Sequence, residues 1–255
     1  MIASSVRAFS VSEASIPLGP QDLHLWFGSR KVVGDSDQFK RAVLSRYAVV
    51  APADWRFVTG ANGKPALAES PRPLDFNLSD SGAWLACAVT AGTAVGLDLE
   101  YCDSGRDVMK LARRFFCASE IAALEACSQE QDAVARFYDY WTLKEARVKA
   151  AGGALGRELE HTGFRLRCPA PRPGASSVAC IKEDPPCDDT GAHYCLLEPL
   201  PGYRLATCWL RPGNVEPHLR LFGLPVAQAL PATTQGIRAC SAPLVCVNTD
   251  GRVSC

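Results

Sequence analysis

The stretch from Asp132 to Ala151 reads as a single helix of roughly six turns, the strongest constraint on what this chain can fold into. Gly152-Gly153 ends it, since glycine readily takes the left-handed conformation that closes a helix. Phe137, Trp141, Lys144 and Val148 share one stripe, which is mixed rather than purely apolar. Glu145 and Lys149, four residues apart, share a face. About forty residues before Trp141, the segment Gly96-Leu97-Asp98-Leu99-Glu100 reads as a strand end, and alternation puts Asp98 and Glu100 on one side. If strand and helix meet, three carboxylates converge beside a lysine. Hard divalent cations want oxygen ligands of this kind, and Mg²⁺ commonly shares them with phosphates. The pattern points to magnesium-assisted phosphate chemistry.

The rest of the chain divides into strands, a helix and strands, then helices, then strands again. Leu23 to Phe27 suits a strand. Residues 37–50 read as a helix capped by Asp35 or Ser36, with Phe39, Ala42, Val43, Tyr47 and Val50 at three- and four-residue steps. Trp55 to Val58 is a short strand, and Asn62-Gly63 is a strong turn signal. Residues 74–78, 84–90 and 94–100 read as strands. Residues 108–116 and 121–127 read as helices, with Glu120 able to close the first turn of the second. Residues 163–167 and 203–210 read as strands, with loops at residues 169–173 and 185–189. This order predicts an α+β fold. The expected divisions are a loose lead-in over residues 1–20, an N-terminal half over 21–102, a C-terminal half over 103–227 and a poorly ordered tail over 228–255.

Composition narrows the function classes. Twenty-seven Lys and Arg balance twenty-seven Asp and Glu, which argues against a general nucleic-acid binder. Twelve cysteines include no CxxC pair, and four scattered histidines weaken a zinc reading further. No signal peptide and no run of about eighteen apolar residues stand out, so a cytoplasmic, reduced protein with no membrane span is expected. Asp98 and Glu100 alone could be solvated residues at a strand end. Glu145 with Lys149 could merely decorate a helix surface. Lys144 alone reads as solvent-facing. Their company shifts the reading: Gly63-Lys64-Pro65 holds a lysine on a rigid turn, and Phe76-Asn77-Leu78-Ser79 places small polar groups before an apolar strand.

The ordered series Gly63-Lys64-Pro65, Phe76-Asn77-Leu78-Ser79-Asp80-Ser81-Gly82, Gly96-Leu97-Asp98-Leu99-Glu100, Arg114-Phe115-Phe116 and Trp141 to Lys149 resembles the Sfp-type 4′-phosphopantetheinyl transferases. The resemblance runs from about Trp26 to Leu210. It implies two similar α+β halves forming a pseudo-dimer, with the active site in the cleft between them. It implies coenzyme A as donor, the serine of an acyl or peptidyl carrier protein as acceptor, and Mg²⁺ as the metal. By that resemblance Asp98, Glu100 and Glu145 hold Mg²⁺, Glu145 helps remove the serine proton, and Lys149 steadies the departing α-phosphate. Lys64, Pro65, Ser79, Asp80, Lys144 and Lys149 fall among the coenzyme A contacts, with Arg41 or Arg46 on the first helix for the 3′-phosphate. One residue departs from the family: a histidine usually follows the serine, where this chain has Asp80. An aspartate there repels phosphate unless it turns away, pairs with a cation or is bridged by the metal.

Rival classes are another Mg²⁺-dependent nucleotide or pyrophosphate enzyme, and an inactive relative or non-catalytic module that binds carrier proteins. No Walker GxxxxGK[ST] or GxSxG motif supports an ordinary P-loop ATPase or an esterase. A basic run of Arg106, Lys110, Arg113 and Arg114 around Leu111 and Phe115 is either the carrier-docking surface or a solvated helix face. One site shared by two halves suggests a monomer.

Overall fold

The computed structural model describes residues 15–153, 159, 162–167, 179–184, 191–211, 218–224, 237–240 and 245–246. Alternation along the strands sets the layering. In β1 (Asp22–Ser29), Leu23, Leu25 and Phe27 face one way and His24 and Trp26 the other, all of them buried. A strand buried on both sides must lie between two packed layers. After a single turn, α1 (Arg30–Val33), comes α2 (Ser36–Leu44). Asp35 caps it, accepting from Gln38 N at 2.8 Å while the Gln38 side chain returns to Asp35 N at 3.1 Å. The helix stops at Leu44 rather than running to residue 50. The chain there turns Tyr47 into the core, where its hydroxyl accepts from Trp26 Nε1 (2.6 Å) and meets His24 Nδ1 (2.9 Å).

A small hairpin, β2 (Phe57–Thr59) and β3 (Pro65–Leu67), precedes β4 (Asp75–Ser81), β5 (Trp84–Thr90) and β6 (Val95–Tyr101). The helices α3 (Val108–Phe115), α4 (Ala118–Glu125) and α5 (Glu130–Ala151) follow. The remaining strands are β7 (Gly163–Arg167), β8 (Ala179–Asp184), β9 (Ala192–Leu197), β10 (Tyr203–Leu210), β11 (His218–Leu224), β12 (Ile237–Cys240) and β13 (Val245–Cys246). The first sheet has the order β13-β11-β1-β5-β4 and the second β6-β10-β9-β12-β8-β7.

Three cores fix four layers in a mixed α+β fold. On the outer face of the first sheet, Phe39, Val43 and Leu44 of α2 pack on Trp26, Leu85, Cys87 and Val89. Between the sheets, Leu25, Phe27, Ala86 and Ala88 meet Val95, Leu97, Leu99 and Leu205. On the outer face of the second sheet, Phe137, Leu143 and Ala146 of α5 pack on Tyr194, Leu196, Ala206 and Cys208.

The expected division at residues 102 and 103 does not follow the strands. β6, assigned by sequence to the N-terminal half, pairs antiparallel with β10, Asp98 lying opposite Ala206. β11, assigned to the C-terminal half, returns to pair parallel with β1, Leu25 lying opposite Leu221. Sheet membership is decided by which edge each buried strand can pair with, not by order in the chain. The described residues of the expected tail are in strands. Within it, β12 inserts between β9 and β8, and β13 pairs with β11. Backbone ladders need no side-chain periodicity, so these short strands carried no sequence signal. The loops expected at residues 169–173 and 185–189, and most of the lead-in, lie outside the described residues.

Candidate active site

The site is built where α5 lies on β6, and Gly96 allows that approach. A Cβ there would stand 1.9 Å from Ala146 O and 2.4 Å from Ala150 N. With the leucines of β6 turned toward the other sheet, Asp98 and Glu100 are turned toward the helix. Lys149 Nζ donates to Asp98 Oδ1 at 2.6 Å and pairs with Glu145 Oε2 at 3.3 Å. Two carboxylates and an ammonium from separate segments therefore share one point.

The edge strand β4 lies alongside and is joined to β6 by side chains rather than by a ladder. Asn77 Oδ1 accepts from Leu97 N at 2.8 Å, and Ser79 Oγ donates to Asp98 Oδ1 at 3.0 Å. Ser81 Oγ accepts from Tyr101 N at 2.9 Å and donates to Glu100 Oε2 at 3.4 Å. The building role of Asn77 and Ser81 was missed by the sequence reading. Its signal is small polar residues at every second position of an edge strand.

Burial governs the electrostatics. It pushes the Glu145 carboxyl up to about 7, with the negative charge of Asp98 adding to the rise and Lys149 opposing it. Burial, then Asp98, also raises Glu100. For Lys149, burial works against the ammonium, but Asp98 and Glu145 outweigh it and its pKa is raised. Among the described residues, no three His, Cys, Asp or Glu side chains already close around a single point. Lys149 stands between Asp98 and Glu145 instead. The donor set nevertheless fits Mg²⁺, since it consists of carboxylate oxygens, and Asp98 Oδ2 is buried with no hydrogen-bond partner.

The other residues singled out by sequence are dispersed around this point. Lys64 Nζ donates to Val95 O at 2.9 Å, at the start of β6, and pairs with Asp75 at 3.5 Å. Lys64 and Pro65 line a cavity of about 150 Å³ that reaches Gly152 at the end of α5. Asn62, in the left-handed region at φ 55°, donates from Nδ2 to Gly152 O at 2.8 Å. Asp80 alternates away from Ser79 and pairs with Arg30, whose Nε donates to Gly82 O at 3.2 Å.

Three of these residues stand in settings other than those expected. Arg41 is committed to its own surroundings: Nε donates to Asp37 (2.6 Å) and Nη1 to Pro52 O (3.1 Å) and Trp55 O (2.9 Å). Arg46 lies in the turn beyond α2 and not on the helix. Lys144 is neither solvent-facing nor open to a ligand. It is 1 % exposed and paired with Glu120 at 2.9 Å. The stripe it shares with Phe137 and Val148 is buried, so the ammonium finds a carboxylate on α4 instead of water. The basic run is exposed, and the Arg106 guanidinium lies 5.8 Å from the Trp141 ring.

Residues 94–208 match the family model of the 4′-phosphopantetheinyl transferase superfamily. The chain is 30 % identical over 180 residues to the 4′-phosphopantetheinyl transferase Sfp of Bacillus subtilis (strain 168), covering 71 % of this chain and 74 % of that one. It is 37 % identical over 119 residues to HetI, a 4′-phosphopantetheinyl transferase of Nostoc sp., covering 46 % of this chain and 50 % of the relative. AcpT of Salmonella typhimurium is 39 % identical over 114 residues, covering 45 % and 57 %. Among solved structures, the Thermotoga maritima holo-[acyl-carrier-protein] synthase (AcpS) aligns at a TM-score of 0.32 and 22 % identity, over 48 % of this chain and 65 % of that one, too distant to carry weight. The chain belongs to the 4′-phosphopantetheinyl transferase family, whose members are enzymes.

Proposed function

We propose that this protein moves the 4′-phosphopantetheine group of coenzyme A onto a serine of an apo carrier protein, at the junction of β6 and α5. The observation that carries this is Lys149 held within 2.6 Å of Asp98 and 3.3 Å of Glu145. In the reaction the serine oxygen forms a new bond to the phosphorus bearing pantetheine, and the bond from that phosphorus to the bridging oxygen breaks. The serine proton goes to Glu145, directly or through water, and adenosine 3′,5′-bisphosphate leaves. Burial raises the Glu145 carboxyl, which makes it a stronger proton acceptor than an exposed glutamate. Lys149 neutralises charge on the departing phosphate.

Asp98, Glu100 and Glu145 would hold Mg²⁺, which when bound withdraws charge from the diphosphate oxygens. Lys64, Pro65 and Ser79 border the same junction and suit the nucleotide end of the donor. Asp80 is kept from repelling the donor phosphates by its pairing with Arg30. The two sheets are the two halves of this reading, and the seam between β4 and β6 is the cleft. The exposed arginines before and along α3 would receive an acidic carrier. The enzyme acts as a cytoplasmic monomer, which suits the free thiols Cys87 and Cys208 in its core.

Incubation with coenzyme A, Mg²⁺ and an apo carrier, followed by intact mass measurement, tests the proposal. The carrier should gain the phosphopantetheine mass, and EDTA should stop it. A carrier of unchanged mass while coenzyme A still binds would favour a non-catalytic binding module.

A further inference from the structure

We propose that Glu120 and Lys144 form a buried clamp that sets the rotation of α5 and thereby positions Glu145 and Lys149; this rests on the active-site reading above. Both side chains are fully buried, and their charged groups meet at 2.9 Å. Lys144 Nζ also donates to Leu159 O at 2.8 Å and Thr162 O at 2.6 Å. Those three acceptors match the three N–H bonds of an ammonium, so none is left for a donor phosphate. Glu120 in turn accepts from Phe164 N at 2.8 Å and from Cys117 N at 3.0 Å. Four pieces of chain are thereby tied to one point: the start of α4, the middle of α5, the segment after α5 and the start of β7.

A buried ion pair is a weak source of stability, because desolvation offsets most of the attraction. A directional socket of this kind does restrict rotation. Lys144 and Glu145 are consecutive, about 100° apart around the helix. A rotation that lets Lys144 leave its three acceptors swings Glu145 and Lys149 off β6 by the same angle. Glu120 and Lys144 are therefore positioning residues. They touch neither substrate nor metal, and they act through the orientation of the next turn of α5.

The test compares wild type, Glu120→Gln, and the neutral double variant Glu120→Gln/Lys144→Met, which leaves no charge buried alone. Melting temperature, coenzyme A binding stoichiometry by calorimetry, and kcat and KM for coenzyme A are measured for each. The expected result is a full coenzyme A stoichiometry and a KM near wild type in both variants, with kcat per binding site down roughly tenfold to a hundredfold. The double variant should regain melting temperature over Glu120→Gln without regaining kcat. If kcat per binding site matches wild type in either variant, the pair is merely structural and the inference is overturned. If wild type itself transfers nothing to an apo carrier, the active-site reading has failed and the clamp falls with it.

Discussion

Replacing Gly96 with alanine probes the contact on which the whole site stands. The new Cβ would lie 1.9 Å from Ala146 O and 2.4 Å from Ala150 N, both backbone atoms of α5. Ordinary contact begins near 3.4 Å, so strand and helix must part by about 1.5 Å at this point. Backbone cannot swing aside as a flexible side chain does. Overpacking of this kind costs about 1–3 kcal/mol. In a protein of this size that lowers the melting temperature by roughly 2–12 °C. The same separation, added to the 2.6 Å between Lys149 and Asp98, takes that contact beyond hydrogen-bond range. Displacement on the order of 1 Å at a reacting centre costs roughly a hundredfold in rate. Circular-dichroism melts and holo-carrier formation at saturating coenzyme A measure the two effects. A variant with wild-type melting and wild-type turnover would refute the reasoning, since it would mean that β6 and α5 do not meet at Gly96. Lowered melting with undiminished turnover would break the link from packing to site geometry.

Three further outcomes are expected. Burial raises the Glu145 carboxyl from 4.5 to about 7, so the folded protein binds more protons than the unfolded chain between those values. Stability without Mg²⁺ or coenzyme A should then be greatest below that window and fall as pH rises through it. Glu145→Gln should flatten the fall in part and remove most turnover; identical melting profiles for the two proteins would defeat the assignment. Asp80→His removes an anion and frees Arg30, so calorimetry should show tighter coenzyme A binding, with stability changed by only about 0–1 kcal/mol because the pair is exposed. Weaker binding would mean that the Arg30–Asp80 pair itself shapes the site. Arg238→Ala deletes contacts from β12 to Asp139 (3.3 Å) and Glu198 (3.2 Å), while Asp139 keeps Arg204 at 2.9 Å. A loss of about 1 kcal/mol is expected in urea melts, and no change would show that the second sheet does not depend on this strand.

Several elements were legible with their observed bounds. β5, β7 and β10 run over residues 84–90, 163–167 and 203–210, as their sequences indicate. α5 starts two residues earlier than expected and ends at Ala151 as expected. These segments carry their signal locally, in apolar runs, alternation or helical period. β8, β9 and β11 were not singled out. β12 and β13 were hidden in a stretch of low periodicity, because what makes them strands is a partner far away in the chain. Helical spacing extends α2 past Leu44 to Tyr47, yet the Tyr47 hydroxyl is bound to the side chains of β1 and the helix ends before it.

The site divides along the same line. That Asp98 and Glu100 share a face, and that Glu145 and Lys149 share another, are properties of one strand and one helix, readable from spacing alone. That those two faces meet depends on Gly96 lying under Ala146, a contact between segments far apart in the chain. Lys144 shows the difference most sharply. Its charge argued for solvent and its stripe for the core, and Glu120 on another helix settles the matter. Local geometry assigns each side chain to a side of its element, whereas packing between distant elements chooses what that side touches, and no period within a single segment encodes that choice.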